Sequence, residues 1–201
     1  NYTGRYLLQM PTGDAIELQA FAGCFDKEIG VEYEDCYFTT TQLTPQLLTW
    51  LHDSRTGNDL YRNLTIFQVD FDYTAMRRMD IGDAFLREFR MSSLDATFGK
   101  SQIQFSFVAV PQSIQLQNAS QQLQAPVRPQ NLLSANFRLL IDSVDATRIR
   151  GLSPLRMWWP KIEQPSGTGR RMFVPGQPSV DNVTVTCSMT GGQTAANIDQ
   201  W

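Results

Sequence analysis

The sequence predicts a mainly β protein of antiparallel sandwich or barrel sheets, with one short helix in each of two repeats. Three observations carry this. Several short runs alternate polar and apolar residues with period two, one stretch bears helix start and stop signals, and the later part of the chain partly repeats its beginning.

EIGVEYED (28–35) sets Glu28, Gly30, Glu32 and Glu34 on one side and Ile29, Val31 and Tyr33 on the other, which predicts a half-buried strand with an acidic outer face. At Thr44-Pro45 an N-cap threonine and a proline at the first helical position open a helix. Leu47, Leu48, Trp50 and Leu51 are its expected buried stripe, and it should end before Gly57. NLTIFQVDFD (63–72) carries Leu64, Ile66 and Gln68 on one face and Phe67, Val69 and Phe71 on the other, which suggests a strand covered on both sides. DAFLREFRM (83–91) can be read as an amphipathic helix. SQIQFSFVAV (101–110) alternates Ile103, Phe105 and Phe107 with Gln102, Gln104 and Ser106, a strand pattern.

Residues 118–131 have the Gln, Ser and Pro composition of a linker. Beyond it, laying residue n on n+131 pairs Tyr6 with Phe137, Leu8 with Leu139, Asp14 with Asp145, Ala15 with Ala146, Leu18 with Ile149 and Phe21 with Leu152. TAANIDQW then reads as the start of a second helix, with Trp201 in the place of Trp50. The expected organisation is a β domain over 1–117, the linker 118–131, and a second, partial copy over 132–201. A barrel half missing its last strands exposes sheet edges and core, so the chain is expected to be either cut short or completed by a neighbour.

A net charge of −3 argues against a protein that grips nucleic-acid phosphates. The halves differ: residues 1–117 hold 15 acids and 9 bases, and residues 118–201 hold 5 and 8. Opposite signs suit packing of one copy against another, though they are equally compatible with no special role. No apolar run approaches the roughly 20 residues of a membrane span, and the amino-terminal residues show no secretion signal. Four N-x-S/T sequons occur, at Asn1, Asn63, Asn118 and Asn182; without a secretion signal they are expected to be strand-edge and loop threonines, with a processed secreted protein as the alternative. Cys24, Cys36 and Cys187 are too scattered for a disulfide framework or zinc site. Cys24 and Cys36 can pair, but three small thiols in a reducing cytosol is the expected state.

No enzyme is expected. His52 beside Asp53 has no nucleophile to serve, and a helix-end imidazole meeting the last carbonyls is the plainer reading. The carboxylate pairs Asp70/Asp72, Asp80/Asp83 and Glu32/Glu34 lack any accompanying substrate platform. PSGTG (165–169) lacks the ending of a phosphate loop. No cofactor or metal is called for. Trp158 and Trp159 point to opposite sides of an extended chain, so burying both needs something over the loop, and an adjacent subunit would do it. Arg170 and Arg171, at the tip of the same loop, can meet an acidic neighbour.

In order, LTPQLLTWLHD, YRNLTIFQVD, RRMDIGDAFLREF and SSLDATFGKSQIQFSFVAV resemble the tail-tube proteins of contractile-tailed bacteriophages and the inner-tube proteins of phage-like injection systems. Arg62-Asn63, Arg78-Met79-Asp80, Asp83-Ala84-Phe85 and Leu94-Asp95-Ala96-Thr97 carry the match, across residues 5–116. NFRLLIDSV, IRGLSPL and VPGQPSVDNVTVT resemble the family's beginning and one of its loop-strands again. The segment EDCYFTTTQL is shorter than the family's long loop, and the doubling is a second departure.

The resemblance implies tube domains in tandem, built into stacked rings around a lumen for DNA or effectors. DAFLREFRM is then a strand, since its neighbours are strands and the following SSLDATFGK is turn-rich. Arg77 and Arg78 become candidate inter-subunit residues beside Trp158, Trp159, Arg170 and Arg171, with the loop 157–175 as a stacking contact. Glu28, Glu32 and Glu34 become either a lumen lining or a solvated outer face. The implied partners are copies of the chain, sheath, tape-measure or baseplate proteins, and cargo that passes without specific binding, with no membrane. The implied location is a virion tail or injection-device tube assembled in the bacterial cytoplasm. A tube-end adaptor or hub subunit, or a secreted β module binding through Trp158 and Trp159, are the alternatives.

Overall fold

The computed structural model describes residues 5–11, 15–28, 31–97, 101–126, 132–139, 149–165, 167 and 169–188. The chain opens with β1 (Arg5–Gln9), β2 (Ile16–Leu18) and β3 (Ala20–Gly23), followed by a small hairpin of β4 (Asp26–Glu28) and β5 (Glu32–Tyr33), and by β6 (Cys36–Thr40). Helix α1 (Pro45–Thr56) leads to β7 (Tyr61–Val69) and β8 (Ala75–Met91), then to β9 (Leu94–Asp95), β10 (Phe105–Val110) and β11 (Ser113–Asn118). Six strands follow: β12 (Ile149–Leu152), β13 (Leu155–Trp158), β14 (Lys161–Gln164), β15 (Met172–Pro175), β16 (Ser179–Val180) and β17 (Val185–Cys187). Every strand pairing among them is antiparallel, as expected.

The 17-residue strand β8 organises the sheet, and DAFLREFRM is its second half. Along one edge β8 pairs first with β7 and then, through Glu88 to Met91, with β13; along the other it pairs with β11 and then β10. β10 and β11 are thus one path broken at Pro111-Gln112. The break faces an irregularity in β8, where Asp83 has φ 50° and its N–H is taken up by the Asn63 side chain at 3.0 Å. Ala84, Phe85 and Leu86 are buried in succession just beyond.

The principal path runs β2-β1-β7-β8-β10-β6-β3. Its two ends, β2 and β3, are consecutive in the chain, so the sheet rolls back towards its own beginning. It is not a closed barrel. Among the described residues β2 pairs only with β1 and β3 only with β6, and the ladder breaks at the bend at Gln19. The Gln19 N–H to Thr39 carbonyl bond (2.8 Å) and the Thr40 hydroxyl to Glu17 carbonyl bond (3.0 Å) tie the corner.

Inside the roll, Leu8, Ile16, Leu64, Ile66, Ile81, Phe105 and Phe107 form the main core. The other face of the β1–β7–β8 part buries Leu7, Phe67, Val69 and Ala75. Strand β7 is therefore covered on both sides, as its two apolar faces predict, although Phe71 lies past its end and is exposed.

Helix α1 closes one side of the core. The Thr44 hydroxyl accepts the Leu47 N–H (3.4 Å), Pro45 opens the first turn, and Gly57 ends the helix at φ 79°. Leu47, Trp50 and Ser54 face inwards at i, i+3 and i+7. The expected stripe is corrected at Leu48, which is 47% exposed, because the helix buries one narrow face only. The later strands attach to the same sheet: β13 extends it along β8, with β16 beyond, and β12 joins β9 and β17. The expected second helix at TAANIDQW, with Trp201, lies outside the described residues, as do Asp14, Asp145 and Ala146 of the repeat alignment.

Candidate functional site

Two surfaces collect the residues singled out by sequence. The first is the free edge of β11. Its inner edge pairs with β8 over six residues, from Ser113 opposite Gly82 to Asn118 opposite Arg77, and no strand lies on its outer edge among the described residues. Leu116 is 70% exposed there. Beside it a groove of about 240 Å³ is lined by Tyr6, Phe21, Phe25, Ile66, Arg77 and Leu116, with Phe25 59% exposed. Arg77 is exposed at this groove. Arg78 pairs with Asp80 (2.9 Å) and sits over the Phe67 ring at 5.9 Å.

The second is an ion-paired clasp between the β14–β15 hairpin and the segment around β4 and β5. The run 28–35 is not one straight strand. Asp26 pairs opposite Tyr33 and Glu28 opposite Glu32, so the chain reverses between them. That reversal breaks the expected single acidic face. Glu34 is exposed, but Glu32 is turned in, its carboxylate meeting Lys161 Nζ at 3.0 Å and Arg171 at 3.6 Å. Gly30 and Ile29 lie outside the described residues.

Lys161 Nζ also meets Asp35 at 3.2 Å and lies 3.8 Å from the Phe173 ring centroid, while Arg87 binds the other oxygen of Asp35. Arg170 stacks 3.9 Å from the Tyr33 centroid and reaches Asp26 at 3.4 Å. The Arg171 N–H donates to the Val31 carbonyl (2.8 Å). Arg170 and Arg171 thus find their acidic neighbours within this chain.

Burial alone would raise the Glu32 carboxyl, but the hydrogen bond and charge of Lys161, aided by Lys27 and Arg171, hold it below its ordinary value of 4.5. Glu88 behaves likewise. Burial is outweighed by the hydrogen bonds from Arg156 (2.7 Å) and Arg90, and its carboxyl is also lowered. Both groups are depressed in the folded state. Their contribution is therefore complete above pH 4.5 and is lost as the pH falls below it. Glu32→Gln is expected to cost about 1.5–3 kcal/mol at pH 7, the range for a charge-assisted bond, and to flatten the acid limb of a urea-denaturation series below pH 4.5. An unchanged acid limb would remove Glu32 from the clasp.

Trp158 is half-buried, at the end of β13 beside Ser179. Trp159 is 1% exposed, and its indole N–H donates to the Ser54 carbonyl at 2.9 Å. Helix α1 of the same chain meets Trp159, which is therefore spent in the core, while Trp158 stays half-buried. The loop 157–175 is accordingly not a free loop, since it contains Trp159 and the paired strands β14 and β15.

The missed features are the Cys24–Cys36 disulfide, with Cα atoms 4.7 Å apart, and the cluster around Asp35. The thiol state expected for these two cysteines is corrected by the β3–β6 pairing, which sets Gly23 opposite Cys36 and brings Cys24 alongside. The signal was present: the cysteines flank a hairpin, which draws its two ends together. Of the carboxylate pairs, Asp70 accepts the N–H groups of Asp72 (3.0 Å) and Thr74 (2.8 Å), which is turn capping. Among the described residues no three His, Cys, Asp or Glu side chains are grouped to hold a metal, and no helix is long and apolar enough to cross a membrane.

No family model matches the sequence, and no curated protein matches it. Solved structures do show likeness. One is a chain of the sheath–tube complex of an extracellular contractile injection system, PVC, in its extended state, at 12% identity and TM-score 0.47, over 57% of this chain and 89% of that one. Another belongs to the 6-fold symmetrised baseplate of the anti-feeding prophage, at 9% identity and TM-score 0.41, over 59% and 94%. A type six secretion system protein is similar at 9% identity and TM-score 0.40, over 89% and 94%.

Proposed function

We propose that this chain is a structural subunit of a contractile tail or injection tube, or of the assembly at the tube's end, and that it associates with copies of itself into rings. The observation that carries the reading is the outer edge of β11. A β-edge that carries an exposed Leu116 beside a groove with Phe25 and Arg77 is an aggregation hazard in a free monomer, and ring closure is a way to cover it. The strand begins inside residues 5–116, the stretch that also carries the ordered tube-like motifs of the sequence. Sheath, tape-measure or baseplate proteins are the further partners of such a subunit, and DNA or effectors its cargo. The proposed role is structural, without catalysis.

Within this reading Glu34, which is exposed, faces a lumen or solvent, whereas Glu32 is engaged by Lys161 and the Glu28 side chain lies outside the described ones. Glu34→Lys is expected to leave rings intact and to slow cargo passage. A deletion that tests the stacking role of 157–175 must spare Trp159, which is buried in the core.

The test is Leu116→Asp, which places a charge at the free edge without touching the core. It is expected to abolish concentration-dependent association in sedimentation velocity while the melting temperature of the monomer is retained. Association equal to that of the wild type would exclude this edge from the interface.

A further inference from the structure

We propose that the Cys24–Cys36 disulfide is a redox-responsive staple that sets how firmly the β14–β15 hairpin is clasped to the rest of the protein. The inference goes beyond the tube reading and does not depend on it. Both cysteines are buried and close a segment of the chain with a sequence separation of 12. That segment contains Asp26, Glu32 and Asp35, the carboxylates that meet Lys161, Arg170 and Arg171. These three cations are the only ones in 161–175. The backbone bond from Arg171 N–H ends in the same segment, at the Val31 carbonyl. The apolar Ile162 and Met172 of the hairpin are exposed, so these two side chains add little core burial to its attachment.

Gln112 also donates to the Phe173 carbonyl (2.6 Å) and Phe173 and Val174 are half-buried, but these ion pairs of the hairpin all end on carboxylates of the closed segment. Closing it restricts where the three carboxylates can go, and opening it restores that freedom. Gly23 locks the arrangement: it has φ 79°, and a Cβ there would run into the Asp35 carbonyl, so the chain passes close enough for Cys24 to reach Cys36. In the oxidising direction the two thiols give up two protons and two electrons to a small-molecule disulfide such as oxidised glutathione. The protein S–S bond forms, the S–S bond of the oxidant breaks, and two small thiols leave. A dithiol reductant reverses the exchange.

The experiment uses the intact chain equilibrated with either dithiothreitol or oxidised glutathione. Free thiols are counted by mass after alkylation under denaturing conditions, and hydrogen exchange is followed by peptide. On oxidation the count is expected to fall from three to one, leaving Cys187. Amides of 161–175 should then exchange about tenfold more slowly, while those of β7 and β8 are unchanged. The double variant C24S/C36S should hold the fast rate in both buffers. Lys161→Met should give fast hairpin exchange in both buffers with the thiol count still switching. Two results overturn the proposal: a count that stays at three in oxidised glutathione, or a count that switches with no change in hairpin exchange. The wild-type comparison decides the matter even if the double variant does not fold.

Discussion

Trp159→Ala is expected to destabilise the folded chain by about 3–5 kcal/mol, the range for removing a fully buried large aromatic side chain. The indole belongs to the main core cluster, and its N–H donates to the Ser54 carbonyl of helix α1 at 2.9 Å. Truncation therefore opens a cavity and leaves that carbonyl without its donor. Trp159→Phe should lose less, because it keeps most of the apolar volume and forfeits the hydrogen bond. Trp158→Ala, at a half-buried position, should lose the least. Urea unfolding of the three variants measures the order. If Trp158 and Trp159 prove equally costly in the monomer, the assignment of Trp159 to the core of its own chain is wrong.

Gly23→Ala is expected to cost about 3–5 kcal/mol, because two penalties fall on one residue. Its φ of 79° lies in the left-handed region, and the added carbon would meet the backbone carbonyl of Asp35, which cannot rotate away. Gly57→Ala is the control. It shares the φ of 79°, but nothing lies within 4 Å of the added carbon, so only the backbone term of about 1–2 kcal/mol applies. The two variants separate close approach from conformational preference. Gly23→Ala should also leave Cys24 and Cys36 reactive to alkylation, since the β3–β6 approach that joins them is lost. Equal stability losses at Gly23 and Gly57 would contradict the tight approach.

The features legible in the sequence are those set by neighbours in the chain. Thr44, Pro45 and Gly57 determine the helix ends through local hydrogen bonds and backbone angles, and they act as expected. The alternation in 101–110 places Ile103, Phe105 and Phe107 inside for the same reason. DAFLREFRM needed its context, because its apolar residues fit either period, and only the strands on both sides decide for β.

The misplacements come from contacts distant in sequence. Glu32 shows a regular acidic alternation, yet its partner Lys161 is 129 residues away and draws it inwards. Trp159 gives no hint that a helix 105 residues earlier supplies its cover. Among the described residues the ladder is interrupted at the bend at Gln19, between β2 and β3, and a single residue's geometry is below what a polarity pattern resolves. For the clasp, the sequence displays the residue types but not their pairing: it offers Arg170 and Arg171 as contacts to another subunit, and charge alone does not say whose carboxylate they meet.

Electron microscopy of the purified protein across a concentration series tests the central claim most directly. The account expects rings or stacked tubes that grow with concentration, with Leu116→Asp remaining monomeric under the same conditions. A compact monomer at every concentration, for the wild type as for the variant, would contradict it.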